Sequence, residues 1–189
     1  MKDIFKQQTQ ELTAAMQNLE PWYEQLNEVV RELKEAFRAG KKVYAIGNGG
    51  SATLAQHLSD EMVGRYKANR PPYPVIALTA DSAVITCIGN DFGYDEVFKR
   101  QIEALGQEGD VLIAYSTSGK SPNILAACEQ AREQGMTVIA FTGQTGQLRE
   151  KADYAVVSPG KTTARIQELD LHAVHLICET FEPDNIADL

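Results

Sequence analysis

Short apolar runs rich in Val and Ile recur at residues 42–46, 75–79, 110–116, 137–142 and 154–158, with helical patterns between them. No other feature constrains the fold as tightly. Runs this short and this apolar read as strands covered on both faces. Strands that alternate with helices form a parallel sheet, because each parallel neighbour is reached only by a crossover that packs back on the sheet. The helical patterns cover about 51–66, 95–105, 121–134, 147–151 and 163–182. No repeat, low-complexity stretch or linker interrupts them. The expectation is one α/β domain over residues 41–189 with helices on both faces.

Residues 1–40 read as a helical arm ahead of the first strand. Pro21 divides it. In the second piece Trp22, Leu26, Val29, Val30, Leu33 and Phe37 recur at helical spacing, and Gly40 is a stop signal. The first piece carries a thinner apolar side of Ile4, Phe5, Leu12, Met16 and Leu19. Such an arm either packs on another subunit or covers its own sheet, and the sequence leaves both open.

In folds of this class the ligand sits outside the C-terminal strand ends. Three segments emerge there: 47–51, 81–91 and 116–121. The first, GNGGSA, fits the dinucleotide pattern G-x-G-x-x-A, but a lone match is weak. The acid that would hold a ribose comes late, at Asp81, and Asn48, His57 and Glu61 add chemistry a dinucleotide does not need. The third, STSGKS, resembles the end of a Walker A loop. It lacks the first glycine, since Ala114 stands there. Neither segment reads as a nucleotide site.

The net charge of −8 excludes general nucleic-acid binding and does not attract anions from a distance. An anionic ligand must then be held by local donors. Ser116, Thr117, Ser118 and Ser121 crowd their hydroxyls where a strand gives way to a helix. Ser121 stands at an N-cap position, Pro122 suits the first turn, and Gly119 permits close backbone approach. Hydroxyls, free N–H groups and the positive helix end converge there, as a phosphate cup requires.

His57 and Glu61 share a helix face as i and i+4. In the last helix Gln167, Leu171, Val174, His175 and Cys178 form one stripe of a segment that reads as buried. A buried Gln and His need partners. His57 and Glu61 could supply them, directly or through a metal. His172 lies off that stripe and is assigned no role. Cys87, Cys128 and Cys178 contain no CxxC and read as buried reduced thiols. No run is long and apolar enough for a membrane span. The start, MKDIFKQQTQ, lacks a signal peptide's apolar region, so the expected location is cytoplasmic.

The segments G-N-G-G-S…A-Q-H…E…G-R-Y, N-R-P…I-G-N-D-F-G, E-G-D-V-L…S-T-S-G-x-S-x-N and T-A-R-I-Q-E…H resemble the phosphoheptose isomerases. These are a branch of the sugar isomerase (SIS) domain family. The resemblance runs in order along nearly the whole chain. It implies a single SIS domain with a five-stranded parallel sheet, and a homotetramer with sites shared between subunits. It implies conversion of sedoheptulose 7-phosphate to D-glycero-D-manno-heptose 7-phosphate through an enediol, towards ADP-heptose and lipopolysaccharide. Asn48, Gly49, Gly50, Asn90 and Asp91 would contact the sugar. Ser116, Thr117, Ser118 and Ser121 would take the phosphate. His57, Glu61, Gln167 and His175 would form a zinc and catalytic centre, one Zn²⁺ per subunit, with Glu61 as base and His175 as acid–base partner. The chain departs from the family pattern at Leu54, Ala164 and Asp170. The rival expectations are a non-enzymatic SIS adaptor of the DnaA-binding type, or an isomerase of another phosphosugar. Glu61 and His175 favour the isomerase.

Overall fold

The structure, a computed structural model, describes residues 1–183. The last part of the expected domain, 184–189, lies outside the described residues. The chain runs α1 (Lys2–Ala15), α2 (Glu20–Arg38), β1 (Val43–Gly47), α3 (Gly50–Val63), β2 (Val75–Ala77), α4 (Ser82–Asp91), a 3-10 turn (Tyr94–Glu96), α5 (Lys99–Leu105), β3 (Val111–Ser116), α6 (Pro122–Glu133), β4 (Thr137–Thr142), α7 (Leu148–Lys151), β5 (Tyr154–Val157) and α8 (Thr163–Glu179).

All five strands pair in parallel in the order β2-β1-β3-β4-β5. Side chains alternate across the sheet. Val43, Ala45, Val111, Ile113, Tyr115, Ile139 and Phe141 pack on one side with α2, α3 and α8. Tyr44, Ile46, Leu112, Ala114, Val138 and Ala140 pack on the other with α5 and α6. The chain order reverses between β1 and β3. The helix following β1 and the helix following β3 therefore lie on opposite faces, and a crevice opens between their first turns. Register places Gly47 beside Tyr115 there.

The two arm helices differ. On α2, Trp22, Leu26, Val29, Leu33 and Ala36 are buried on one stripe, so this helix covers its own sheet. Truncating such a side chain, as in Leu33→Ala, costs about 2–5 kcal/mol. On α1 no residue is buried. A polar tie holds it instead: Arg165 at the start of α8 donates to the Gln8 backbone and side-chain oxygens, both at 2.9 Å, and pairs with Glu11 at 3.7 Å. The break between α1 and α2 precedes Pro21, with Asn18 at φ 63°. Pro21 sits in the first turn of α2, where its missing N–H breaks no helical bond.

Three local expectations change. The segment 81–91 is a helix, α4, capped by Asp81, whose carboxylate accepts from the N–H groups of Ala83 and Val84 at 3.0 Å. Val84, Ile85, Thr86 and Ile88 are β-branched and weak helix formers, so the pattern did not declare itself. The helix expected over 95–105 splits into the 3-10 turn and α5. Cys128 and Cys178 are buried, and burial pushes both thiols up to about 12. Cys87 is exposed on α4, contrary to expectation. Among the described residues no helix is long and apolar enough to cross a membrane.

Candidate active site

The cup forms at the C-terminal end of β3. Ser116 is the last strand residue and is buried. Ser121 occupies the N-cap position of α6 but makes no side-chain cap. Its Oγ lies 3.4 Å from Ser116 Oγ, and the Ser118 hydroxyl accepts from the Lys120 N–H at 3.2 Å. The hydroxyl of Ser121 is thus turned to Ser116 and the cup rather than spent on the helix. Gly119, at φ 61°, lets the loop pass where a Cβ would come 2.7 Å from the Thr145 carbonyl. Thr117 and Ser118 open on a cavity of about 300 Å³ bounded by Gly143, Thr145, Lys161 and Thr163. An anion in the cup meets hydroxyls, the α6 N-terminus and no carboxylate from these segments.

The opposite wall is the loop after β1. The Asn48 carboxamide pairs reciprocally with that of buried Asn123 on α6, at 2.9 Å in both directions. The Tyr94 hydroxyl donates to Asn48 Oδ1 at 2.9 Å. Gly50 opens α3, and a Cβ there would come 2.6 Å from the Gln167 side-chain nitrogen. Glycine at this position lets the Gln167 amide lie flat on the loop. Asn90 and Asp91 are exposed at the end of α4, four and three residues before Tyr94, with Asn90 donating to Asp91 at 2.7 Å.

Across the α3–α8 interface, His57, Glu61 and His175 bring their ligand atoms within 4.8 Å of one another. His57 Nε2 stands 2.9 Å from His175 Nε2 and 3.6 Å from Glu61 Oε1. Asp60 faces the other ring nitrogen of His57 at 3.5 Å and so leaves Nε2 for the shared centre. A tetrahedral zinc with bond lengths near 2.1 Å separates neighbouring ligand atoms by about 3.4 Å. The two separations bracket that value, so the set fits such an ion. Gln167 lies two turns before His175 on α8, against Gly50.

Arg70 fixes the turn that carries Glu61. Its buried guanidinium donates to the Glu61 carbonyl at 2.9 Å and the Met62 carbonyl at 3.0 Å, pairs with Glu182 at 3.4 Å, and lies over the Tyr73 ring. These carbonyls end α3, where a helix leaves acceptors unpaired. The sequence showed Arg70 only as part of N-R-P, and Asn123 and Tyr94 only as neighbours of the cup and of Asp91.

The α8 stripe is rotated from its expected position. Ile166, Leu169, Asp170, Ala173, Val174 and Ile177 face the core. Leu171 is exposed, and Gln167 and His175 sit at the half-buried edge facing the crevice. Asp170 is 0% exposed, and neither carboxyl oxygen has a hydrogen-bond partner. Burial raises its pKa to about 8. The hydroxyl of buried Tyr115 is likewise unpartnered, and its pKa is pushed well up, first by burial and then by Asp170. Leu54 joins the core, Ala164 is exposed, and His172 stacks on Trp22 at 5.9 Å.

A family model described as the SIS domain matches residues 5–143. A phosphoheptose isomerase of Bradyrhizobium sp. (strain BTAi1) is 49% identical over 162 residues, 85% of this chain and 82% of that protein. One from Burkholderia pseudomallei (strain K96243) is 49% identical over 164 residues, 84% and 83% of the two chains. The solved phosphoheptose isomerase of Francisella tularensis superposes with a TM-score of 0.85 at 35% identity, covering 94% of both chains. That of Neisseria gonorrhoeae gives 0.83 at 36%, with the same coverage.

Proposed function

The chain belongs to the SIS domain family and, within it, to the phosphoheptose isomerases, and on that premise we propose that it interconverts sedoheptulose 7-phosphate and D-glycero-D-manno-heptose 7-phosphate through an enediol. The observation that carries this reading is the meeting of His57, Glu61 and His175 within 4.8 Å, in a crevice fold whose strand ends also form a hydroxyl cup. The cup holds the phosphate and the loop at Asn48, Gly49 and Gly50 meets the sugar. Asn90 and Asp91 extend that contact.

Ketose–aldose exchange moves a proton between C1 and C2. It needs one base that reaches both carbons and a partner that serves their oxygens. Glu61 is the base, held in place by the Arg70 clasp on its own carbonyl. His175 is the acid–base partner. His57, Glu61, Gln167 and His175 would hold a zinc ion, one per subunit. When bound, that ion would polarise the carbonyl and favour the negative charge of the enediolate. A carboxylate that ligates zinc is a weaker base, so the two roles of Glu61 compete.

The apolar side of α1, with Ile4 60% and Phe5 63% exposed, supports assembly with further copies of the chain. A homotetramer with sites at subunit interfaces, in the cytoplasm, feeding ADP-heptose and lipopolysaccharide synthesis, completes the proposal. The adaptor reading has no use for a charged cluster of Glu61 with two imidazoles. The deciding experiment is product formation from sedoheptulose 7-phosphate, followed by NMR with and without chelator and added Zn²⁺. No turnover by the folded protein in either condition rejects the isomerase.

A further inference from the structure

The hydrogen-bond chain Tyr94–Asn48–Asn123 has a polarity that can be worked out from one end. The backbone N–H of Ile124 can only donate, and it donates to Asn123 Oδ1 at 3.0 Å. Asn123 Oδ1 is therefore an acceptor, and Asn48 must offer it an N–H, which it does at 2.9 Å. Asn48 Oδ1 then faces the Asn123 amide nitrogen, again at 2.9 Å, and accepts. Its second lone pair takes the Tyr94 hydroxyl proton. Tyr94 is thereby fixed as the donor. What the chain leaves over is one N–H on each asparagine and the lone pairs of the Tyr94 oxygen. With its proton committed to Asn48, the Tyr94 oxygen is left as an acceptor.

We propose that Tyr94 is a specificity-determining residue that reads a sugar hydroxyl through its acceptor oxygen, whose own proton is committed to Asn48. The inference deepens the isomerase reading and rests on it for the identity of the sugar. A hydroxyl donates to the Tyr94 oxygen. A carboxylate only accepts and is repelled by the tyrosine lone pairs. The pattern selects a polyol hydroxyl over an acid group at this position. Tyr94 is 57% exposed, so its oxygen is accessible to a ligand. It reaches Asn48 from the segment after α4, across 46 positions of sequence. The Asn48–Asn123 pair persists without it, so Tyr94→Phe removes one oxygen and leaves the Asn48 amide oriented.

The test is titration calorimetry of the wild type and of Tyr94→Phe with sedoheptulose 7-phosphate and, separately, with inorganic phosphate. The expected result is a Kd for the sugar phosphate raised roughly five- to tenfold, as for one lost neutral hydrogen bond, with the phosphate Kd unchanged. Equal sugar-phosphate affinity in the two proteins overturns the inference. So does a parallel weakening of both ligands, which would make Tyr94 a support of the cup. A wild type that binds sedoheptulose 7-phosphate no tighter than phosphate also overturns it. Turnover by the wild type is measured apart from binding, so failure of the isomerase reading is told apart from failure of the Tyr94 assignment.

Discussion

The Nε2 atoms of His57 and His175 stand 2.9 Å apart although 118 positions separate them in the chain. Two imidazoles can approach this way when they share a proton or share an ion. With Glu61 Oε1 3.6 Å from His57, the second arrangement satisfies all three groups at once.

Purified protein loaded with Zn²⁺ is therefore expected to carry about one ion per chain, and His175→Ala to carry far less. Metal analysis after gel filtration reads this directly. Equal zinc content in the two proteins would place the ion elsewhere.

Glu61→Gln keeps the shape of the side chain and removes the proposed base. Isomerisation is expected to fall by at least about a hundredfold, within the range general-base groups contribute. The elution volume should not change. Activity near the wild-type level would remove Glu61 from the proton transfer.

Ser118→Ala and Ser121→Ala act on the cup, where the proposed reading has phosphate held alike in ground and transition states. Each is expected to raise KM roughly five- to tenfold and leave kcat within about twofold. A fall in kcat at constant KM would contradict a purely anchoring role.

Asp170 predicts a pH dependence of stability. Its folded pKa of about 8 lies above the ordinary carboxylate value of 3.8. Between these values the folded state keeps a proton that the unfolded state has released. Stability contributed by the neutral acid is present below about pH 4 and is lost as pH rises towards 8. Asp170→Asn, neutral at every pH, should flatten the melting-temperature profile over this window and melt higher than wild type near pH 8. An unchanged profile would show that Asp170 does not titrate there.

Phe5→Asp places a charge on the exposed apolar side of α1. The expected outcome is dissociation of the proposed tetramer, read by light scattering, with the folded α/β domain intact. A wild-type protein that is already a monomer would remove the shared-site arrangement.

The sheet was legible in the sequence because its strands are short, apolar and separated by helices of clear period. The cup was legible because its hydroxyls are local, packed into one turn. His57 and Glu61 were visible as neighbours on a helix. The asparagine pair was not visible, since Asn48 and Asn123 are brought together only by the β1–β3 register. Helix α4 was hidden by its β-branched residues. On α8 the period was right and the phase was wrong: Asp170, a charged residue by composition, lies inward, while Leu171 lies outward. A pattern that assigns faces by polarity cannot anticipate a carboxylic acid kept neutral by its surroundings.

The tie between Arg165 and α1 has a mechanical consequence. Because α1 has no fully buried residue and meets the core through Ala15 at its end, its polar hold on the domain is concentrated in one guanidinium. That guanidinium belongs to the first turn of α8, two residues before Gln167. A neighbour that pulls on the arm therefore also pulls, through this strut, on the turn whose Gln167 amide rests against Gly50.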